Sequence, residues 1–94
     1  MEVHQQAFIA FIEIFSNIRY DENYVPRNYQ TIGGMWTVDT WQKNGITIQL
    51  ADEGYTKLIL TNNLHVCLNY DNSLSFSKGS VEDLLILHNN FFNT

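Results

Sequence analysis

The sequence predicts an α+β domain in which an N-terminal helix, an antiparallel β-meander of four to five strands and a C-terminal helix follow one another. The two helices are expected to pack on the sheet. Three observations carry the prediction. Apolar residues recur at helical spacing up to Ile18, the period becomes two after Met35, and Ser80-x-x-Asp83 opens a second apolar helical run. The expected elements are a helix over 2–20, strands over about 34–42, 46–51, 55–61, 64–70 and 73–77, and a helix over 81–92.

In the first helix Phe8, Phe11, Ile12, Phe15 and Ile18 share one stripe, widened by Val3, Ala7 and Ile14. Gln6, Glu13 and Asn17 lie opposite, and Ile9 falls on that polar side. Asp21-Glu22-Asn23 ends the helix, and Pro26 biases Val25 to an extended conformation. Residues 21 to 30 read as a loop that carries Tyr24 and Tyr29.

Asn44-Gly45 between two β-rich runs is a strong hairpin signal. A two-residue loop would pair Asp39 with Leu50 and Lys43 with Ile46, mixing charge into an apolar face. A three-residue loop aligns Trp36 and Val38 with Ile48 and Leu50, and that register is the one expected here. Asp52-Glu53-Gly54, Asn62-Asn63 and Asp71-Asn72 mark the following turns. Connections this short join antiparallel neighbours, because parallel crossovers need about a dozen residues or more.

Lys78-Gly79 breaks the last strand. Ser80-x-x-Asp83 then resembles a capping box, with Glu82 and Asp83 at the positive end of the helix dipole. Val81, Leu84, Leu85, Leu87, His88, Phe91 and Phe92 share one broad face, and Ile86 points elsewhere.

One cysteine, Cys67, allows no internal disulfide, and no Asn-x-Ser/Thr sequon occurs. Both fit a reducing compartment. The N-terminus has no basic n-region, and no apolar run approaches the ~20 residues of a membrane span. A cytoplasmic location is the expectation, without membrane contact.

Net charge is −5, yet only 16% of residues are charged. The five basic residues stand apart, which gives no footprint for phosphate backbones and argues against direct nucleic-acid binding. The acids come as scattered pairs rather than the dense rows a nucleic-acid mimic needs.

No motif carries chemistry. His65 and Cys67 share a strand face, but no helix N-terminus is at hand to lower the thiol pKa. A thiol between Val66 and Leu68 reads as a packed side chain. His4, His65, Cys67 and His88 lack the spacing of metal modules, so neither metal nor cofactor is expected. His4 and His88 could approach if the helices pack together. Gly33-Gly34 precedes a strand, not a helix, and cannot cradle a phosphate as a P-loop does. The chain is therefore read as non-enzymatic.

What remains is binding. Trp41 within a polar rim of Thr37, Asp39 and Lys43 has the anatomy of a protein-binding hot spot, unless helices flank both sheet faces and Trp41 is core. Tyr20, Asp21, Glu22, Tyr24, Tyr29, Asp39, Trp41, Asp52 and Glu53 are the candidate contact residues. The expected function is a small acidic protein-binding module that inhibits a macromolecular target with a basic surface. Small acidic α+β proteins of this general kind occur among phage anti-defence proteins such as anti-CRISPR inhibitors, immunity proteins and antitoxins, a class analogy from size, charge and lack of catalytic residues that no motif narrows to a family. A structural subunit or a homodimer is the alternative, suggested by Ile9, Ile86 and the Phe91-Phe92 end.

Overall fold

A computed structural model describes residues 2–19, 29–32, 36–43, 45–52 and 55–93 of the 94-residue chain. Helix α1 spans Val3–Arg19. Ala7, Ala10, Phe11, Ile14, Phe15 and Ile18 are its buried residues, whereas Phe8 and Ile12 are half-buried. The packed stripe is thus rotated towards the alanines, whose small side chains let the helix lie close to its neighbours. Gln6, Glu13 and Asn17 are exposed, and Ile9 on the same side keeps 40% of its surface.

Among the described residues six strands follow: β1 Tyr29–Ile32, β2 Trp36–Lys43, β3 Ile46–Asp52, β4 Lys57–Leu60, β5 His65–Leu68 and β6 Leu74–Lys78. Each pairs antiparallel with the next, so the order in the sheet is the order in the chain. The fold class is the expected α+β meander, with one strand more than the alternation reveals. β1 arises from the end of a segment read as loop. Its four residues, Tyr-Gln-Thr-Ile, are too few for periodicity to register, and pairing with β2 supplies what local pattern does not.

The β2–β3 register corrects the sequence expectation. Lys43 pairs with Ile46, Trp41 with Ile48 and Asp39 with Leu50, which leaves two residues in the loop. Gly45 there has φ +82°, the left-handed conformation that short hairpin loops require. A one-residue slip would turn Trp41 to the other face. The register that puts charged residues in the apolar column is nevertheless adopted, because it brings Trp41 beneath helix α2.

At the opposite end of the sheet Asn69 N–H donates to Ser73 C=O, and Asn72 N–H to Asn69 C=O. With Asn72 at φ +69° this is a three-residue hairpin loop closed by a left-handed residue. Between β4 and β5, Thr61 N–H donates to Leu64 C=O around Asn62-Asn63, the tight turn that pair predicts.

Helix α2 is Val81–Phe92, with the expected bounds. Asp83 Oδ2 accepts from Ser80 N–H at 2.8 Å and from Ser80 Oγ at 3.0 Å, and Glu82 joins it in the first turn. Leu84 is fully buried, Phe91 packs beneath the helix, and Ile86 is 52% exposed on the far side.

Strand alternation assigns the two faces. Trp41, Ile48, Leu50, Ile59, Val66 and Leu68 lie in connected register columns and form one buried cluster with α1 and Leu84. Both helices therefore cover the same face. They touch each other where His88 Nε2 meets Glu13 Oε1 at 3.2 Å.

Candidate functional site

The face away from the helices is built from the alternate residues of each strand. Ala51, Leu58, Cys67 and Ser75 form one cross-strand row, and Gln49, Leu60, His65 and Lys78 form the next. Thr47 pairs with Gln42 beyond them, and Gln42 Nε2 donates to Thr47 Oγ1 at 3.3 Å. The middle of this face is apolar and its margins are uncharged and polar, apart from His65 and Lys78.

Over the second row lies a hollow of about 340 Å³, bordered by Thr47, Gln49, Leu60, His65 and Lys78 together with Thr61 and Asn62. Leu60 is 8% exposed and supplies the apolar floor. The volume sits at the lower limit of small-molecule sites, roughly 300 Å³, and a mostly polar wall suits a protruding side chain better than a drug-sized ligand.

A second feature of this face is a chain of hydrogen bonds. The Cys67 thiol donates to Asn69 Oδ1 at 3.6 Å. Asn69 Nδ2 donates to Ser75 Oγ at 2.8 Å and to Ser73 Oγ at 3.0 Å, and Ser73 Oγ donates to Asp71 Oδ1 at 2.6 Å. Asp71 Oδ1 also accepts from Ser73 N–H at 3.0 Å. The Ser73 side chain and backbone hold the Asp71 carboxyl below its ordinary pKa. Burial pushes the Cys67 thiol up, which keeps it protonated and is the reverse of nucleophile activation. Among the described residues no hydrogen bond joins His65 to Cys67, although they share the face.

The other histidines are placed apart. His88 meets Glu13 and lies 4.7 Å from the Phe92 ring, whereas His4 borders a different cleft with Phe8, so the two do not meet each other. Among the described residues no group of three or more His, Cys, Asp and Glu side chains could hold a metal ion. No helix among them is long and apolar enough to cross a membrane.

The chain matches no protein-family model, no curated protein and no solved structure. Its own residues are therefore all that bears on function.

The predicted contact residues scatter. Trp41 is a correction: it is 7% exposed, with its ring 5.1 Å from that of Phe91, and it belongs to the core rather than to a contact rim. Asp52 is the register partner of Lys57 at the end of the β3–β4 hairpin, with a carboxylate–ammonium separation of 3.9 Å. Tyr29 and Asp39 stand opposite each other across β1 and β2. Tyr20, Asp21, Glu22, Tyr24 and Glu53 lie outside the described residues, as do Gly33 and Gly34.

Sequence reasoning missed Thr47, Gln49, Leu60 and Lys78 as one surface. The signal was present: Thr47 and Gln49 alternate with Ile46, Ile48 and Leu50. The wrong hairpin register set Trp41 on their side of the sheet and drew attention away from them.

Proposed function

We propose that this chain is a non-enzymatic protein-binding module that inhibits or sequesters a macromolecular target, and that its contact surface is the sheet face turned away from the helices. The observation that carries this reading is the hollow on that face. An apolar floor at Leu60, ringed by Thr47, Gln49, His65 and Lys78, has the arrangement of a protein interface: a desolvated centre inside a polar rim. A thiol kept protonated by burial supports binding over catalysis on the same face. The net charge of −5 supports a target with a basic surface, since opposite charge accelerates encounter, while the contact face, where Lys78 borders the hollow, fixes the register.

The test uses affinity capture from the native source with the wild-type chain and Thr47→Arg. Thr47 is exposed at the edge of the hollow, so the substitution blocks it without entering the core. A target held by the wild type, released by salt and lost with Thr47→Arg supports the reading. Equal capture by both chains moves the contact elsewhere. A target whose activity is unaffected by stoichiometric addition of the chain removes the inhibitory part.

A further inference from the structure

Among the described residues the sheet ends on β6, with no strand beyond it. A strand edge presents unpaired backbone donors and acceptors, and natural proteins blunt it with short strands, proline, lysine, a bulge or a covering segment. β6 has no proline, and its one charge, Lys78, and the register irregularity opposite His65 and Val66 both lie at its far end, which leaves Leu74–Phe76 in regular pairing. Which groups face outward follows from the hairpin. Asn69 N–H donates to Ser73 C=O, so Ser73 is a hydrogen-bonded position of the β5–β6 ladder and Ser75 is the next. The N–H and C=O groups of Leu74 and Phe76 therefore point away from the sheet.

We propose that two copies of this chain pair antiparallel through β6, about a twofold axis at Ser75, into one continuous twelve-stranded sheet. Leu74 then exchanges backbone hydrogen bonds with the partner's Phe76, and Ser75 faces the partner's Ser75 across a non-hydrogen-bonded pair. Charge selects a second copy over a foreign strand. In this register Lys78 comes beside the partner's Asp71, and the twofold repeats the contact. Lys78 makes no ion pair among the described residues and stands in the row of His65 on the face away from the helices. Asp71 is exposed at the hairpin tip and is tied to that face through Ser73 and Asn69. Two chains of net charge −5 repel overall, so the paired attractions at this edge fix where and how they meet. The pairing requires no foreign target, and it shares only Lys78 with the rim of the hollow.

Sedimentation equilibrium of the full chain at low salt tests it. A concentration-dependent dimer is expected, and a monomer at every concentration overturns the proposal. Lys78→Glu alone and Asp71→Lys alone each replace two attractions with two repulsions and weaken the dimer about tenfold. An equal mixture of the two variants restores both attractions and recovers the wild-type affinity. Melting curves confirm that each variant is folded. A second measurement is independent of charge: Ser75→Cys in a Cys67→Ser background forms an intermolecular disulfide under mild oxidation, because directly opposite non-hydrogen-bonded positions lie about 4.5 Å apart between Cα atoms. A dimer indifferent to both charge variants, or one that does not cross-link through Ser75→Cys, pairs elsewhere and overturns the assignment. So does addition of an unrelated extended peptide to β6 while the chain itself stays monomeric.

Discussion

The Trp41 and Phe91 rings sit 5.1 Å apart, centroid to centroid, with their planes at 48°. The contact joins the second strand to the last turns of α2 and places a tryptophan of the sheet inside the core. Phe91 in turn meets Phe92 edge-on at 4.9 Å, so the end of the helix is pinned through Trp41.

Trp41→Ala is therefore expected to act on stability. Truncating a buried tryptophan costs about 3–5 kcal/mol, a large part of the ~5–15 kcal/mol that holds a domain together. Urea unfolding followed by circular dichroism measures it. A loss below about 1 kcal/mol would return Trp41 to the surface and revive it as a contact residue.

Two glycines with nearly the same backbone angle should respond differently. Gly45 and Gly79 have φ of +82° and +81°. A Cβ on Gly45 meets nothing within 4 Å, whereas on Gly79 it would stand 2.7 Å from the Asn63 carbonyl oxygen. Gly45→Ala carries the left-handed penalty alone, about 1–2 kcal/mol. Gly79→Ala adds a collision with backbone that cannot swing aside, and the helix cap at Ser80 follows immediately. Its denaturation midpoint should fall clearly below that of Gly45→Ala, and equal midpoints would refute the steric account.

The acid side of the stability profile should carry a signature of Asp71. Its carboxyl is lowered by the Ser73 hydroxyl first and the Ser73 backbone N–H second. A depressed folded-state pKa contributes stability above the unfolded-state value and loses it as pH falls through the folded-state value. Wild type should exceed Asp71→Ala at neutral pH, with the gap narrowing below the usual carboxylate range. Melting both proteins from pH 7 down to pH 2 reads the gap directly, and a constant difference would rule the linkage out.

Much of the fold was legible because local signals agreed with it. The capping pair Ser80 and Asp83, the left-handed site at Gly79 and the polar turns at Asn62-Asn63 and Asp71-Asn72 all act within a few residues. They place α2 and the last three strands to within a residue or two in most cases. The β2–β3 register depended on Phe91, some fifty residues further along the chain, and no alternation within the hairpin contains that contact. β1 was illegible for a related reason, since among the described residues its one partner is β2. The candidate surface inherited the error: Trp41 was assigned to the face away from the helices with Thr37, Asp39 and Lys43 as its rim, and Thr47, Gln49 and Leu60 drew no attention. The corrected register takes Trp41 into the core and leaves Thr47, Gln49 and Leu60 at the centre of the candidate surface.

Cys67 supplies the test closest to that centre. It stands in the apolar row between Leu58 and Ser75, its thiol aimed at Asn69 and its pKa raised by desolvation. The thiolate is the species that reacts with iodoacetamide, so a raised pKa lowers its fraction at any pH below it. Alkylation of the native chain at pH 8 should run slower than that of glutathione and should accelerate when the chain is unfolded in urea. Cys67→Ser should leave any target capture intact, because Ser can donate to Asn69 in the same way. Fast native alkylation, together with loss of function in Cys67→Ser, would instead mark a reactive thiol and reopen the enzymatic reading of His65 and Cys67.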